Sequence, residues 1–312
     1  MTNTAVSTAP NADNVPAGMA LMVCAMLLLP GLDAVAKVLS DTVPSGQSAW
    51  GRFFFQVLFL TPFVIWNRQV MPKAHLWAHA LRGFLIAFAT LLFFTSIKFM
   101  PLANAISIFF VQPFIVTLLA ALFLGEAFGW RRLLAIVVGF AGALLIIKPS
   151  YELFGWAAVL PVGTAVSFAC YVILTRWLAR TETATTMQFV SGVFGGLTMT
   201  VGLIVGASYD VEVLTPVWPT VTEWLLLALL GVIATVGHML VVMAFNRASV
   251  AILAPFQYLE IISATLLGFV IFGDFPDALT WLGIIIIVSS GLFVFHRERK
   301  LARHAEREAQ AI

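Results

Sequence analysis

Ten apolar runs, each close to the length a helix needs to cross a bilayer, leave this chain few folds to choose from. They lie at about 17–39, 47–66, 76–98, 102–124, 131–148, 154–176, 186–207, 222–245, 250–272 and 279–296. The hydrocarbon core takes about 20 residues of helix, and barrel strands would need alternating runs of about 9–11 residues. Backbone groups in lipid must bond within their own element, so the runs are helices. The predicted fold is an all-α polytopic membrane protein. Composition agrees: 10% of the 312 residues are charged, against about 25% in soluble domains.

The segment from Pro101 to Glu126 returns, blurred, from Ser249 to Asp274, at an offset of 148 residues. Ala103, Thr117, Leu118, Leu119 and Gly125 meet Ala251, Thr265, Leu266, Leu267 and Gly273, while Glu126 meets Asp274 and Gln112 meets Glu260. A repeat of nearly half the chain predicts two structural units. Five helices per unit is an odd number, so the second enters the membrane from the opposite side and the repeat is inverted. Inverted repeats suit alternating access around a site near the midplane.

Basic residues set the expected orientation. With the N-terminus cytoplasmic, 13 of the 17 Lys and Arg residues fall on the cytoplasmic side, among them Arg68, Lys73, Arg82, Arg131, Arg132, Arg176, Arg180 and Arg247. Lys98 and Lys148 fall outside, and Lys37 and Arg52 lie within the first two segments. Both termini are therefore expected in the cytoplasm. The expected organisation is a disordered tail at 1–16, a first five-helix repeat at 17–148, a second at 149–296 and a cytoplasmic tail at 297–312 that extends the last helix.

Ten helices in two halves, Gln112-Pro113 thirteen residues before Glu126, Gly125-Glu126 before a tryptophan and two arginines, and the Tyr258-Leu259-Glu260 stretch together resemble the drug/metabolite transporter superfamily, EamA type. Within it the chain looks most like bacterial exporters of aromatic amino acids. The resemblance implies a multi-pass protein of the bacterial inner membrane. It also implies a central cavity lined by helices three, four, eight and nine with parts of one and six, and helices five and ten at the contact between halves. Ile261 stands where family members often carry proline, and Asp274 where they carry a second loop glutamate.

Several residues are candidates for the work. Asp33 and Lys37 sit four apart near the outer end of the first segment, so they share a helix face and can pair. They read either as a self-neutralising structural pair or as a gate or substrate clamp, since a lone intramembrane charge is costly. Glu260 is the acid nearest the middle of a segment, and with Gln257 and Ser263 it forms a polar stripe. It is a candidate partner for a proton or an ammonium group, or a carboxylate neutralised by its neighbours. Gln112 is its uncharged repeat mate. His238 is either a proton relay or a hydrogen-bonded packing residue. Ser107 offers a neutral contact, and Phe110, Tyr171 and Tyr258 a wall for a flat substrate.

The sequence holds no phosphate loop, HExxH, GxSxG or paired-cysteine motif, which points away from an ATP-driven pump, a hydrolase or a metal cofactor. Nothing suggests nucleic acid. The expected partners are a small-molecule substrate and membrane lipids. Oligomeric state is left open, a monomer being a plausible unit. The expected function is export of small amphipathic metabolites, with aromatic amino acids leading and a multidrug or nucleobase-type exporter as the alternative.

Overall fold

In a computed structural model, residues 15–66, 75–124, 130–178, 182–245, 247–248 and 250–310 are described. Residues 1–14 of the expected tail, Arg68, Lys73, the Gly125-Glu126 turn and Arg180 lie outside them. The first repeat comprises α1 (Val15–Leu39), α2 (Ser45–Trp66), α3 (Leu76–Phe99), α4 (Leu102–Phe109), α5 (Gln112–Leu124) and α6 (Trp130–Phe154). The second comprises α7 (Leu160–Leu178), α8 (Ala184–Ser208), α9 (Val221–Phe245), α10 (Val250–Gln257), α11 (Leu259–Phe272) and α12 (Ala278–Gln310). Among the described residues seven spans are long and apolar enough to cross a membrane, with Leu102–Phe123 counted as one; the apolar stretches of α6, α11 and α12 are shorter. Trp66, Trp77, Trp130 and Trp218 at helix ends are exposed, as interface tryptophans are.

All ten expected segments are helical, but two come in pieces. The fourth breaks at Phe110 and Val111, where Pro113 has no N–H for the Phe109 carbonyl and its ring would strike that oxygen. The Val111 amide instead turns back to Ile108 O at 3.2 Å. The ninth breaks at Tyr258, which follows Phe110 by 148 residues. The breaks thus occupy the same place in both repeats, although Ile261 replaces the proline expected nearby. Discontinuous helices at matching positions are where transporters of this build place their sites.

Packing follows the repeat. α1 lies on α9 as α7 lies on α3, α5 on α7 as α11 on α1, while α2 pairs with α8 and α6 with α12. The α6–α12 contact matches the expectation for helices five and ten. It depends on small residues: a Cβ on Gly142 would meet Ile286 Cγ2 at 2.8 Å and Gly283 O at 3.1 Å. Such close approach of backbones replaces the hydrophobic effect as the force between membrane helices.

Gly273 ends α11 in the left-handed region, φ +71°, with Asp274 N donating to Gly268 O at 3.1 Å. This is the C-terminal cap for which glycine is suited. It also turns Asp274 back over the bundle. Lys37, on α1, meets it at 2.6 Å. The Lys37 partner is therefore not Asp33. The correction has a simple cause: Lys37 lies a turn nearer the helix end, where its stem can reach a loop carboxylate at the membrane edge. Arg82 also departs from expectation. It is buried in α3 and donates to Thr175 Oγ1 at 2.8 Å, Met187 O at 3.0 Å and Tyr171 OH at 3.1 Å, so it ties three helices together and is no part of a cytoplasmic loop.

Candidate substrate-binding cavity

Where the two breaks meet, the repeats enclose a cavity of about 230 Å³. Its walls come from α1 (Met26, Leu29, Leu32, Asp33), α2 (Arg52), α3 (Ile86, Ala89, Thr90, Phe93, Phe94), the α4–α5 break (Ile106, Phe109, Phe110, Gln112), α7 (Thr164, Phe168), α9 (His238, Val241) and the α10–α11 break (Gln257, Glu260). The helices are those the resemblance implied, with α2 added. Four pairs of wall residues stand 148 positions apart: Thr90 and His238, Phe93 and Val241, Phe109 and Gln257, Gln112 and Glu260. The offset found from one segment thus also relates the third and eighth helices.

The breaks bring two pairs of helix ends to the cavity. Gln257 and Glu260 end and begin separate helices, yet both face the cavity. Ser263, read as part of their stripe, turns away and donates to Leu27 O at 3.0 Å, fastening α11 to α1. Phe110 and Tyr258 meet across the breaks, tilted by 33°, with centroids 5.4 Å apart. Phe109 meets Phe93 at 6.0 Å and Phe168 at 5.6 Å, both pairs edge to face. One side of the cavity is therefore a continuous aromatic wall.

Charged groups complete the lining of the cavity. Asp33, Glu260 and Arg52 line it together with His238, whose Nδ1 lies 2.7 Å from Ala234 O. That bond to the α9 backbone identifies Nδ1 as the protonated nitrogen, since a carbonyl only accepts, and leaves Nε2 as the acceptor. Arg52 donates through Nη1 to Thr90 Oγ1 and lies over the Phe53 ring at 4.9 Å, while its buried Nε has no partner among the described residues. Among the described residues Asp33 makes no ion pair. The arrangement offers two carboxylates and one guanidinium beside a greasy wall.

Six predicted residues, Asp33, Phe110, Gln112, His238, Gln257 and Glu260, come together at this cavity. Four do not line it. Ser107 is fully buried with its hydroxyl on Ala103 O at 2.6 Å; an intrahelical bond satisfies it. Tyr258 backs Phe110, Tyr171 backs Phe168 at 5.5 Å while accepting from Arg82, and Lys37 sits above the cavity in its ion pair. Arg52, Thr90, Phe93, Phe94, Thr164 and Phe168 were not singled out from sequence. For Arg52 the signal was present, since a lone basic residue inside an apolar segment marks a functional position by default.

The sequence pattern of the EamA-like transporter family matches residues 16–148 and again residues 155–296. The chain belongs to the EamA-like transporter family. Among EamA-like relatives, an S-adenosylmethionine uptake transporter of Rickettsia bellii is 30% identical over 269 residues, 86% of this chain and 89% of that protein. A riboflavin transporter of Rhizobium johnstonii is 30% identical over 294 residues, 92% and 93% of the two chains. A pseudopaline exporter of Pseudomonas aeruginosa is 29% identical over 282 residues, 88% and 95%. A solved crystal structure superposes with a TM-score of 0.61 at 20% identity, covering 92% of this chain and 99% of that one, which shows the shared fold. The superfamily expectation holds. The narrower one is not supported, because these relatives are named for S-adenosylmethionine, riboflavin and pseudopaline, not for aromatic amino acids.

Proposed function

We propose that this EamA-like protein is a secondary transporter, not an enzyme, and carries a small metabolite that joins an amino-acid head, a further positive charge and a flat ring. The observation that carries the reading is the cavity's makeup: Asp33, Glu260 and Arg52 share one lining with Phe93, Phe109 and Phe168. A carboxylate would sit on the Arg52 fork, an ammonium and a second cation on the two acids, and the ring on the aromatic wall. S-adenosylmethionine has all these groups, and the Rickettsia bellii relative is named for it. Aromatic amino acids remain a second reading, supported by the same wall, but they offer one cation to two acids. The halves at 17–148 and 149–296 would rock about the cavity in the bacterial inner membrane, with both termini cytoplasmic.

The test is flux in proteoliposomes containing only this protein, with radiolabelled S-adenosylmethionine, riboflavin, Phe, Trp, Thr and Lys, each with and without a pH gradient. Saturable flux of S-adenosylmethionine, competed by excess unlabelled compound, is the expected result. Saturable flux of Phe and Trp alone would favour the second reading. No saturable flux of any compound would reject both.

A further inference from the structure

The two ion pairs among the described residues, Lys37–Asp274 at 2.6 Å and Lys98–Glu212 at 2.8 Å, both join the first repeat to the second, and both lie at the same end of the bundle. They are not equivalent. Glu212 is 82% exposed, whereas the side chains of Lys37 and Asp274 are 15% and 30% exposed. An exposed pair contributes little, whereas removing one partner of a sheltered pair leaves the other charge uncompensated and is costly. Lys37 has further contacts: Met100 O at 3.3 Å and the Phe272 ring at 4.6 Å. At the opposite end the halves meet through apolar groups, Met22, Ala25 and Met26 against Ala244, Ala248 and Leu253.

The position of this pair is informative. Asp33 lines the cavity one helical turn before Lys37 on α1, and Glu260 lines it at the start of the helix that Asp274 follows. Two helices, one from each repeat, thus carry a cavity carboxylate at one place and half of the ion pair at another. Residues four apart share a face with about 5–6 Å between Cβ atoms, so a lysine stem spans the distance from position 37 to Asp33. Lys37 has two carboxylates within reach, and only one is engaged.

We propose that Lys37 is a two-position latch. On Asp274 it closes this end and leaves Asp33 free for a cationic group of the substrate. When the second repeat swings away, Lys37 loses Asp274, turns onto Asp33 and displaces that group. The first position stands on the geometry alone, and the second rests on the transport reading above.

The test uses the full chain with Cys24 and Cys170 replaced by serine and a reporter, Ala89→Cys, in the cavity wall, labelled by a membrane-impermeant methanethiosulfonate from the Lys37 side. Lys37→Met raises the labelling rate by about fivefold or more, the low end of a single coupling interaction. Asp274→Asn does the same from a loop outside the cavity, and decides the matter if Lys37→Met does not fold. Lys37→Asp combined with Asp274→Lys restores slow labelling but not release of radiolabelled S-adenosylmethionine, because no cation remains at 37 to reach Asp33. Unchanged labelling in the single variants, or a swap that fails to restore it, overturns the latch. A swap that also restores release overturns the second position, as does a parent protein that moves no S-adenosylmethionine, and in that last case labelling still decides the first.

Discussion

Phe110 and Tyr258 occupy the same position in the two repeats and touch each other, ring centroid to ring centroid, at 5.4 Å. Each marks the break of its own helix, so the contact pins the two breaks together at the cavity. The Tyr258 hydroxyl is held in turn against α12, where Gly291 leaves the room it needs; a Cβ there would overlap it.

Gly291→Ala is therefore expected to push the Tyr258 ring off Phe110 and lower transport, with an overpacking cost of about 1–3 kcal/mol. Tyr258→Phe removes the clashing oxygen and should recover part of the loss in the double variant. Flux and thermal melting in detergent for the four proteins of the cycle measure this. Additive losses would show that the two sites are independent.

Removing Arg52, the one guanidinium among the described residues of the cavity wall, should matter more than removing any single ring. Arg52→Gln leaves Asp33 and Glu260 without a cation beside them, and transport efficiency is expected to fall at least about 30-fold, the low end of the ~2–5 kcal/mol for truncating one partner of a buried charge contact. Arg52→Lys keeps the charge but not the fork and should lie between. The expected split is a large rise in KM for substrates bearing a carboxylate and little change for those without one.

The α6–α12 contact offers a test of the fold that does not touch the cavity. Gly142→Val and Gly283→Val would each drive a branched side chain into the facing backbone, and each should lower the melting temperature, at a cost of roughly 1–3 kcal/mol. The matching change at Gly196, where a Cβ would find its nearest neighbour at 3.8 Å, should be mild.

Outside the membrane, the hydrogen bond from Lys98 and then its charge hold the Glu212 carboxyl below its ordinary value of 4.5. A depressed folded-state value means that the pair's contribution is present above the unfolded pKa and is lost as pH falls through the folded one. The melting temperature of the wild type should therefore exceed that of Lys98→Met by a constant small amount above about pH 5, and the difference should shrink as the pH falls further. The effect is small because Glu212 is exposed.

The spans, the offset and its inversion were legible because bilayer thickness and odd helix number act on the chain one segment at a time. The breaks were less so. Gln112-Pro113 was visible as a motif, but an intramembrane proline is often accommodated without interruption, and at Tyr258 the sequence has no comparable marker. Lys37 shows the limit most clearly. Its spacing to Asp33 is local and readable, while its actual partner lies 237 residues away and becomes available only because Gly273 turns the chain. Arg82 was counted with the basic residues of the cytoplasmic side, and that count says nothing of the three partners that draw it inward.

The paired wall positions carry one more implication. Thr90, Phe93, Phe109 and Gln112 are answered by His238, Val241, Gln257 and Glu260, so one mould has been cast twice and lined with unlike materials. A cargo held this way meets unlike groups from the two repeats: Glu260 and His238 of the second stand where the first offers Gln112 and Thr90. Selectivity can then change by substitution in one lining alone, leaving untouched the matched surfaces on which the halves turn.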